Sequence, residues 1–173
     1  MTRLAALLLA LFAACVAFAS TRKPIDPHAA TLRLGFEDGL CSGTAVGPHT
    51  LLTARHCFNH RLVTVNNQPV EVGKVRPEGK DAVTVDVDMA FPAYAQRGPR
   101  PSQGDRIRFW GNPLGEPDVM RVGYVARVWT DGIVLDARVC HGDSGAGLFD
   151  DRNRVVAIVS ATTDPNCNLG VAR

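Results

Sequence analysis

The sequence has few cysteines, few aromatic residues and no segment typical of a long amphipathic helix. Of its 173 residues, five are cysteine and 6% are aromatic. No CxxC pair is present, so a zinc site is the poorer explanation for the cysteines. We expect no metal and no cofactor.

An excess of charge of one sign is also lacking. The chain has nineteen Lys and Arg and seventeen Asp and Glu, a formal net charge of +2, and the two signs are interspersed along it. No basic stripe indicates a nucleic acid or an anionic membrane as a partner. With 46% hydrophobic residues, the chain has enough apolar material for one domain or two very small ones.

The first twenty residues differ from the rest. Arg3 precedes an apolar run over residues 4–18, and Ala17-Phe18-Ala19 has the small-x-small pattern of a cleavage site. We predict a signal peptide over residues 1–19 and a secreted or periplasmic protein without stable membrane association. A retained anchor is the alternative, but the run is shorter than the roughly twenty residues that span a bilayer. Lipid attachment at Cys15 is a second alternative, which Phe12 fits poorly.

Removal of the leader leaves four cysteines, Cys41, Cys57, Cys140 and Cys167. An even number in an exported chain favours disulfides. Four cysteines allow three pairings, and their spacing does not choose among them.

Short apolar runs, separated by turn residues about every ten positions, predict an all-β protein after the leader. Within residues 82–88, Val83, Val85 and Val87 alternate with polar residues, which places them on one face of a strand. Asp131-Gly132 is a hairpin-turn signal. Residues 95–104 are the only linker-like stretch, so we expect one unit over residues 20–94 and a second over 105–173.

Three motifs carry chemistry, and they occur in the order His, Asp, Ser. They are Leu52-Thr53-Ala54-Arg55-His56-Cys57, Asp88-Met89-Ala90 and His141-Gly142-Asp143-Ser144-Gly145-Ala146-Gly147. Together they resemble the trypsin/chymotrypsin family of serine peptidases, closely at the motifs and thinly elsewhere. The resemblance implies two packed antiparallel β-barrels of the six-stranded type.

The resemblance also implies a role for each motif. Ser144 is the expected nucleophile, and the N–H groups of Gly142 and Ser144 form the expected oxyanion hole. His56 is the expected general base, although the family usually has alanine where Arg55 stands. Asp88, followed by an apolar residue and alanine, is the expected acid that orients His56.

Further expectations follow from the same family. Ser160 is expected to hydrogen-bond the buried acid beside the substrate cleft. The implied disulfides are Cys41–Cys57 and Cys140–Cys167, each stabilising by roughly 3 to 4 kcal/mol on the chain-entropy model.

The sequence departs from the family at two places. Ala146 stands where the family has a second glycine after the nucleophile. No Ile-Val-Gly-Gly type start is present, so we expect Asp143 to have another partner and the protein to need no activating cleavage.

Specificity is inferred from three further positions of the resemblance. Arg138, six residues before Ser144, falls at the base of the pocket for the side chain preceding the cut, where trypsin-type enzymes have aspartate. Thr162 and Gly170 fall on the pocket walls. An inward Arg138 would repel Lys and Arg and attract a carboxylate. An outward Arg138 would leave a small neutral pocket.

The sequence therefore predicts a monomeric serine endopeptidase acting on proteins or peptides through an acyl-enzyme. One alternative is a catalytically silent binding module on the same fold. Another is an esterase that uses the same machinery.

Overall fold

The structure, a computed structural model, describes residues 25–162 and 166–173. The predicted leader lies outside the described residues. Within those ranges every strand pairing is antiparallel and the helical segments are short 3₁₀ turns. No helix among the described residues has both the length and the apolar character needed to cross a membrane.

The first half of the chain forms a seven-stranded half-barrel with the strand order β5-β4-β1-β2-β3-β7-β6. Its strands are β1 (Thr31–Phe36), β2 (Gly39–Gly47), β3 (Thr50–Ala54), β4 (Leu62–Val65), β5 (Gln68–Pro69), β6 (Val72–Glu78) and β7 (Ala82–Val87). The 3₁₀ turns Pro27–Ala30 and Arg55–Asn59 precede β1 and follow β3.

The second half forms a closed barrel with the strand order β10-β13-β12-β11-β8-β9. Its strands are β8 (Arg106–Gly111), β9 (Val119–Trp129), β10 (Gly132–Asp136), β11 (Gly147–Phe149), β12 (Val155–Thr162) and β13 (Gly170–Ala172), with a 3₁₀ turn at Pro113–Gly115. The predicted all-β, two-barrel fold is confirmed, although the first sheet has seven strands and is open.

Each half has its own apolar core, as the alternating sequence pattern requires. Val83, Val85 and Val87 of β7 are all buried, on the face predicted for them. In the second barrel Phe109 and Leu135 are fully buried. The core of the first half also includes side chains from the second, so the two halves pack against each other through apolar contacts.

Residues 95–104 connect the two halves, but they do not form a free linker. The Ala95 N–H donates to the Ala45 carbonyl in the first half. Arg97 pairs with Val155 of the second half in an isolated bridge. The connection is therefore packed against both units.

Candidate active site

His56 lies in the 3₁₀ turn Arg55–Asn59, just after β3 ends, and faces the start of β7. These strands are antiparallel, and Ala54 pairs with Ala82, so the residue before Ala82 faces the turn that carries His56. That residue is Asp81. Its Oδ2 atom lies 2.8 Å from His56 Nδ1, and its Oδ1 accepts a 3.0 Å hydrogen bond from the His56 backbone N–H.

The prediction that Asp88 orients His56 is wrong. Asp88 follows the far end of β7, seven positions after Asp81. At about 3.3 Å per residue of strand, this separates the two aspartates by roughly 23 Å. The Asp88 carboxylate accepts a 2.8 Å hydrogen bond from the Glu71 N–H instead. An acid that pairs with a histidine at the end of β3 must therefore lie at the beginning of β7.

The Asp81 side chain is only 18% exposed and is well supplied with hydrogen-bond donors. The Ser160 hydroxyl donates to Asp81 Oδ2, whereas the acid expected for Ser160 was Asp88. Burial would raise the pKa of Asp81, but the hydrogen bonds from Ser160 and His56 outweigh burial and hold this pKa below its usual range. The lowered pKa means that the carboxylate next to His56 stays charged in mildly acidic solution.

Ser144 lies in the turn between β10 and β11 and is half-buried. Its carbonyl accepts a 2.7 Å hydrogen bond from the Ser42 N–H of the first half. The next residue, Gly145, has φ +87°, and a methyl group there would lie 2.9 Å from the Ala54 nitrogen. The turn that carries Ser144 thus packs against the end of β3, two residues before His56.

The predicted oxyanion residues lie in this same turn. Gly142 has φ +95°, and a methyl group on it would lie 2.1 Å from the Asn112 carbonyl oxygen, so only glycine fits there. Among residues 25–162 and 166–173, neither Gly142 N–H nor Ser144 N–H donates to a backbone carbonyl. Both N–H groups therefore meet the first requirement of the predicted oxyanion hole, which is that no backbone carbonyl already accepts from them.

Asp143 lies between Gly142 and Ser144 in the chain, and its side chain is completely buried. Its partner is Arg121 of β9. Arg121 Nη1 lies 2.9 Å from Asp143 Oδ1, and the Cys140 N–H donates to Oδ2 at 2.8 Å. Burial raises the pKa of Asp143, and the two donors oppose that shift. Gly111 leaves the space for the carboxylate, since a methyl group there would lie 2.1 Å from Oδ1.

This ion pair leads to a stability prediction. Replacing Arg121 with Met leaves a buried carboxylate without its cation, which we expect to cost about 3 kcal/mol of unfolding free energy. Arg106→Met, which breaks an exposed pair with Asp151, should cost about 1 kcal/mol or less. Urea denaturation measures both, and an equal loss for the two variants would contradict a structural role for the buried pair.

The three predicted specificity positions are Arg138, at the start of the segment that carries Ser144, Thr162 at the end of β12 and Gly170 at the start of β13. Arg138 is exposed, between the buried Ala137 and Val139. Thr162 pairs with Gly170, and its hydroxyl lies 3.3 Å from the Leu169 carbonyl. A methyl group on Gly170 would lie 2.4 Å from Val139, so this part of the wall is closely packed.

Both disulfides that the resemblance implied are present. Cys41–Cys57 joins β2 to the turn that carries His56. Cys140–Cys167 joins the turn that carries Ser144 to the segment before β13.

Two packed sheets with a histidine–aspartate pair on one and a glycine-lined serine turn on the other define the two-barrel class of serine peptidases. The family model of the trypsin-like peptidase domain matches residues 41–158, and the chain belongs to this family. A search of the curated proteins finds no match to this sequence.

Solved structures resemble this chain in fold at low sequence identity. A Glu endopeptidase is 16% identical, with a TM-score of 0.71 over 88% of this chain and 87% of that one. The active form of the Rv3671c protease from M. tuberculosis is 17% identical, with a TM-score of 0.72 over 84% and 76%. A serine endoprotease from Yersinia pestis is 18% identical, with a TM-score of 0.67 over 86% and 62%.

Proposed function

We propose that this protein is a secreted serine endopeptidase with Ser144 as nucleophile, His56 as general base and Asp81 as the acid that orients the base. The observation that carries the proposal is the 2.8 Å contact between His56 Nδ1 and Asp81 Oδ2, beside the turn of Ser144. Two disulfides and the apolar leader over residues 4–18 support export.

The proposed reaction proceeds through an acyl-enzyme. His56 takes the proton of the Ser144 hydroxyl as the oxygen attacks the scissile carbonyl, and Asp81 stabilises the imidazolium without taking the proton. The N–H groups of Gly142 and Ser144 bind the oxyanion. His56 then protonates the leaving amine, and water releases the acid in the second half of the cycle.

The experiment that tests this function compares the purified protein on casein and on short-chain nitrophenyl esters, with Ser144→Ala as the blank. Casein cleavage that is lost in the blank supports an endopeptidase. Ester hydrolysis without casein cleavage would identify an esterase. Activity on neither substrate would favour a silent binding module.

We infer that the pocket for the side chain before the cut excludes Lys and Arg. No carboxylate stands at the pocket-base position, which is Arg138, and the exposure of Arg138 favours the small neutral pocket over a carboxylate-binding one. The neighbour called a Glu endopeptidase shares the fold, and cleavage after Glu is the competing outcome.

A peptide-library digest checks this prediction. We expect cleavage mainly after Ala, Ser or Val. Cleavage after Glu or Asp would mean that Arg138 turns into the pocket. Arg138→Ala should then abolish this cleavage. Digestion dominated by Lys and Arg would contradict the whole inference.

A further inference from the structure

A row of fully buried hydroxyl groups in the first half of the molecule faces the turn of Ser144. Ser42 and Thr44 lie on the same face of β2, and Thr53 lies on β3. The Ser42 hydroxyl donates to the Gly142 carbonyl at 2.8 Å, and Thr44 Oγ1 accepts from the Gly147 N–H at 2.9 Å. The reaction proposed above uses none of these side chains.

The Ser42 hydroxyl has a second buried partner, Asn112, which lies just before the turn Pro113–Gly115 and is 2% exposed. Asn112 Nδ2 donates to Ser42 Oγ at 2.8 Å. A serine hydroxyl has one hydrogen to donate. Because Asn112 supplies a hydrogen to the oxygen, the hydrogen of Ser42 is left for the Gly142 carbonyl.

The same turn holds the peptide on the other side of Gly142. The Leu114 N–H donates to the His141 carbonyl at 2.7 Å. In a trans peptide the C=O and N–H point in opposite directions, so this bond turns the Gly142 N–H away from Leu114. Ser42, Asn112 and Leu114 thus fix both peptide units that flank Gly142.

Gly142 needs such external bonds. Its φ is +95°, and glycine populates positive and negative φ about equally. Sterics alone therefore do not hold the peptides next to Gly142, which can rotate at little cost. If the His141–Gly142 peptide rotated, the His141 carbonyl oxygen would stand where the Gly142 N–H is meant to meet the oxyanion. The orientation of the donor therefore depends on the bonds to the carbonyls.

We propose that Ser42 and Asn112 are positioning residues. They fix the Gly142–Asp143 peptide, and by fixing the backbone torsions of Gly142 they help to keep the adjacent His141–Gly142 peptide, which carries the Gly142 N–H, in its oxyanion-binding orientation. The proposal rests on the proposed function, because an oxyanion forms only if Ser144 attacks a carbonyl. It adds two residues from outside the three catalytic motifs, one from each half of the molecule.

Steady-state kinetics separates positioning from simple stabilisation. We expect Ser42→Ala to lower kcat between about 10-fold and 100-fold, less than complete loss of an oxyanion donor, with KM changed less than about threefold. Asn112→Ala should lower kcat less than Ser42→Ala does, because the Ser42 hydroxyl can still donate to the Gly142 carbonyl.

Thr44→Val is the matched control. It removes an equally buried hydroxyl from the same face of β2, where the bond goes to Gly147 beyond the nucleophile. We expect it to lower Tm about as much as Ser42→Ala while kcat stays within about threefold of the unaltered protein. Equal kcat losses in the two variants, or an effect of Ser42→Ala on KM alone, would overturn the proposal.

Crystal structures of the unaltered protein and of Ser42→Ala give a readout that needs no activity, with Asn112→Ala in its place if the first variant does not fold. We expect the Gly142 carbonyl to turn from its position in the unaltered protein. An unchanged carbonyl would overturn the proposal even in an active enzyme. If the unaltered protein is inactive and the carbonyl still turns in the variant, the proposed function is refuted, while the positioning of Gly142 by Ser42 and Asn112 is supported.

Discussion

Replacing Asp81 with asparagine is expected to lower kcat by about four powers of ten, with little change in KM. The asparagine side chain is close in size, but it can present an N–H to His56 Nδ1 where the carboxylate presents an oxygen. His56 would then carry its proton on the wrong nitrogen for accepting one from Ser144. Hydrolysis of a peptide substrate, followed over a range of pH, measures the loss.

Asp88→Asn is the matched control, because both aspartates flank the same strand and the change is the same. Asp88 accepts a hydrogen bond from Glu71 and lies at the far end of β7. We expect kcat within about twofold of the unaltered protein, as for most surface substitutions. A larger loss from Asp88→Asn than from Asp81→Asn would refute the pairing of His56 with Asp81.

Ser144→Ala is expected to have the largest effect, a loss of about six powers of ten in kcat. The fold should be unaffected, because the Ser144 hydroxyl forms no hydrogen bond among residues 25–162 and 166–173 and only its oxygen is removed. Turnover of a peptide substrate and thermal unfolding measure the two effects. Ser102→Ala, at an exposed serine of the connecting segment, is the control.

Persistent turnover in Ser144→Ala, with the same pH dependence as the unaltered protein, would contradict the assignment of the nucleophile. A large fall in Tm would show that the serine has a structural role that the contacts described here do not reveal. Activity must be compared at equal concentrations of folded protein.

Much of the strand content was predictable because alternation of apolar and polar residues is a local signal. Val83, Val85 and Val87 face the core for this reason, and the Asp131-Gly132 turn joins β9 to β10 as its sequence indicates. The serine and histidine motifs could also be recognised from the sequence, because their characteristic neighbours are adjacent in the chain. These neighbours are the glycines around Ser144 and the cysteine after His56.

The carboxylate partner of His56 was missed because a short motif cannot report strand register. Asp81 and Asp88 both flank the alternating segment, and Asp88-Met89-Ala90 matches the family's local pattern better. The pairing of Ala54 with Ala82 decides between them, since it places Asp81 beside the turn of His56.

Other contacts have no local signal at all. Ser42 reaches Gly142 across 100 positions of sequence and Asn112 across 70. Arg121 meets Asp143 only because β9 and the turn of Ser144 belong to one closed barrel. Such pairs become visible only when both halves are assembled.

Labelling with a fluorophosphonate probe, followed by peptide mapping, tests the central claim most directly. The probe reacts covalently with a serine only where a base and an oxyanion hole activate the hydroxyl. We predict one labelled residue, Ser144, with labelling strongly slowed in Asp81→Asn and unchanged in Asp88→Asn. Labelling at another residue, or none in the folded protein, would contradict the account.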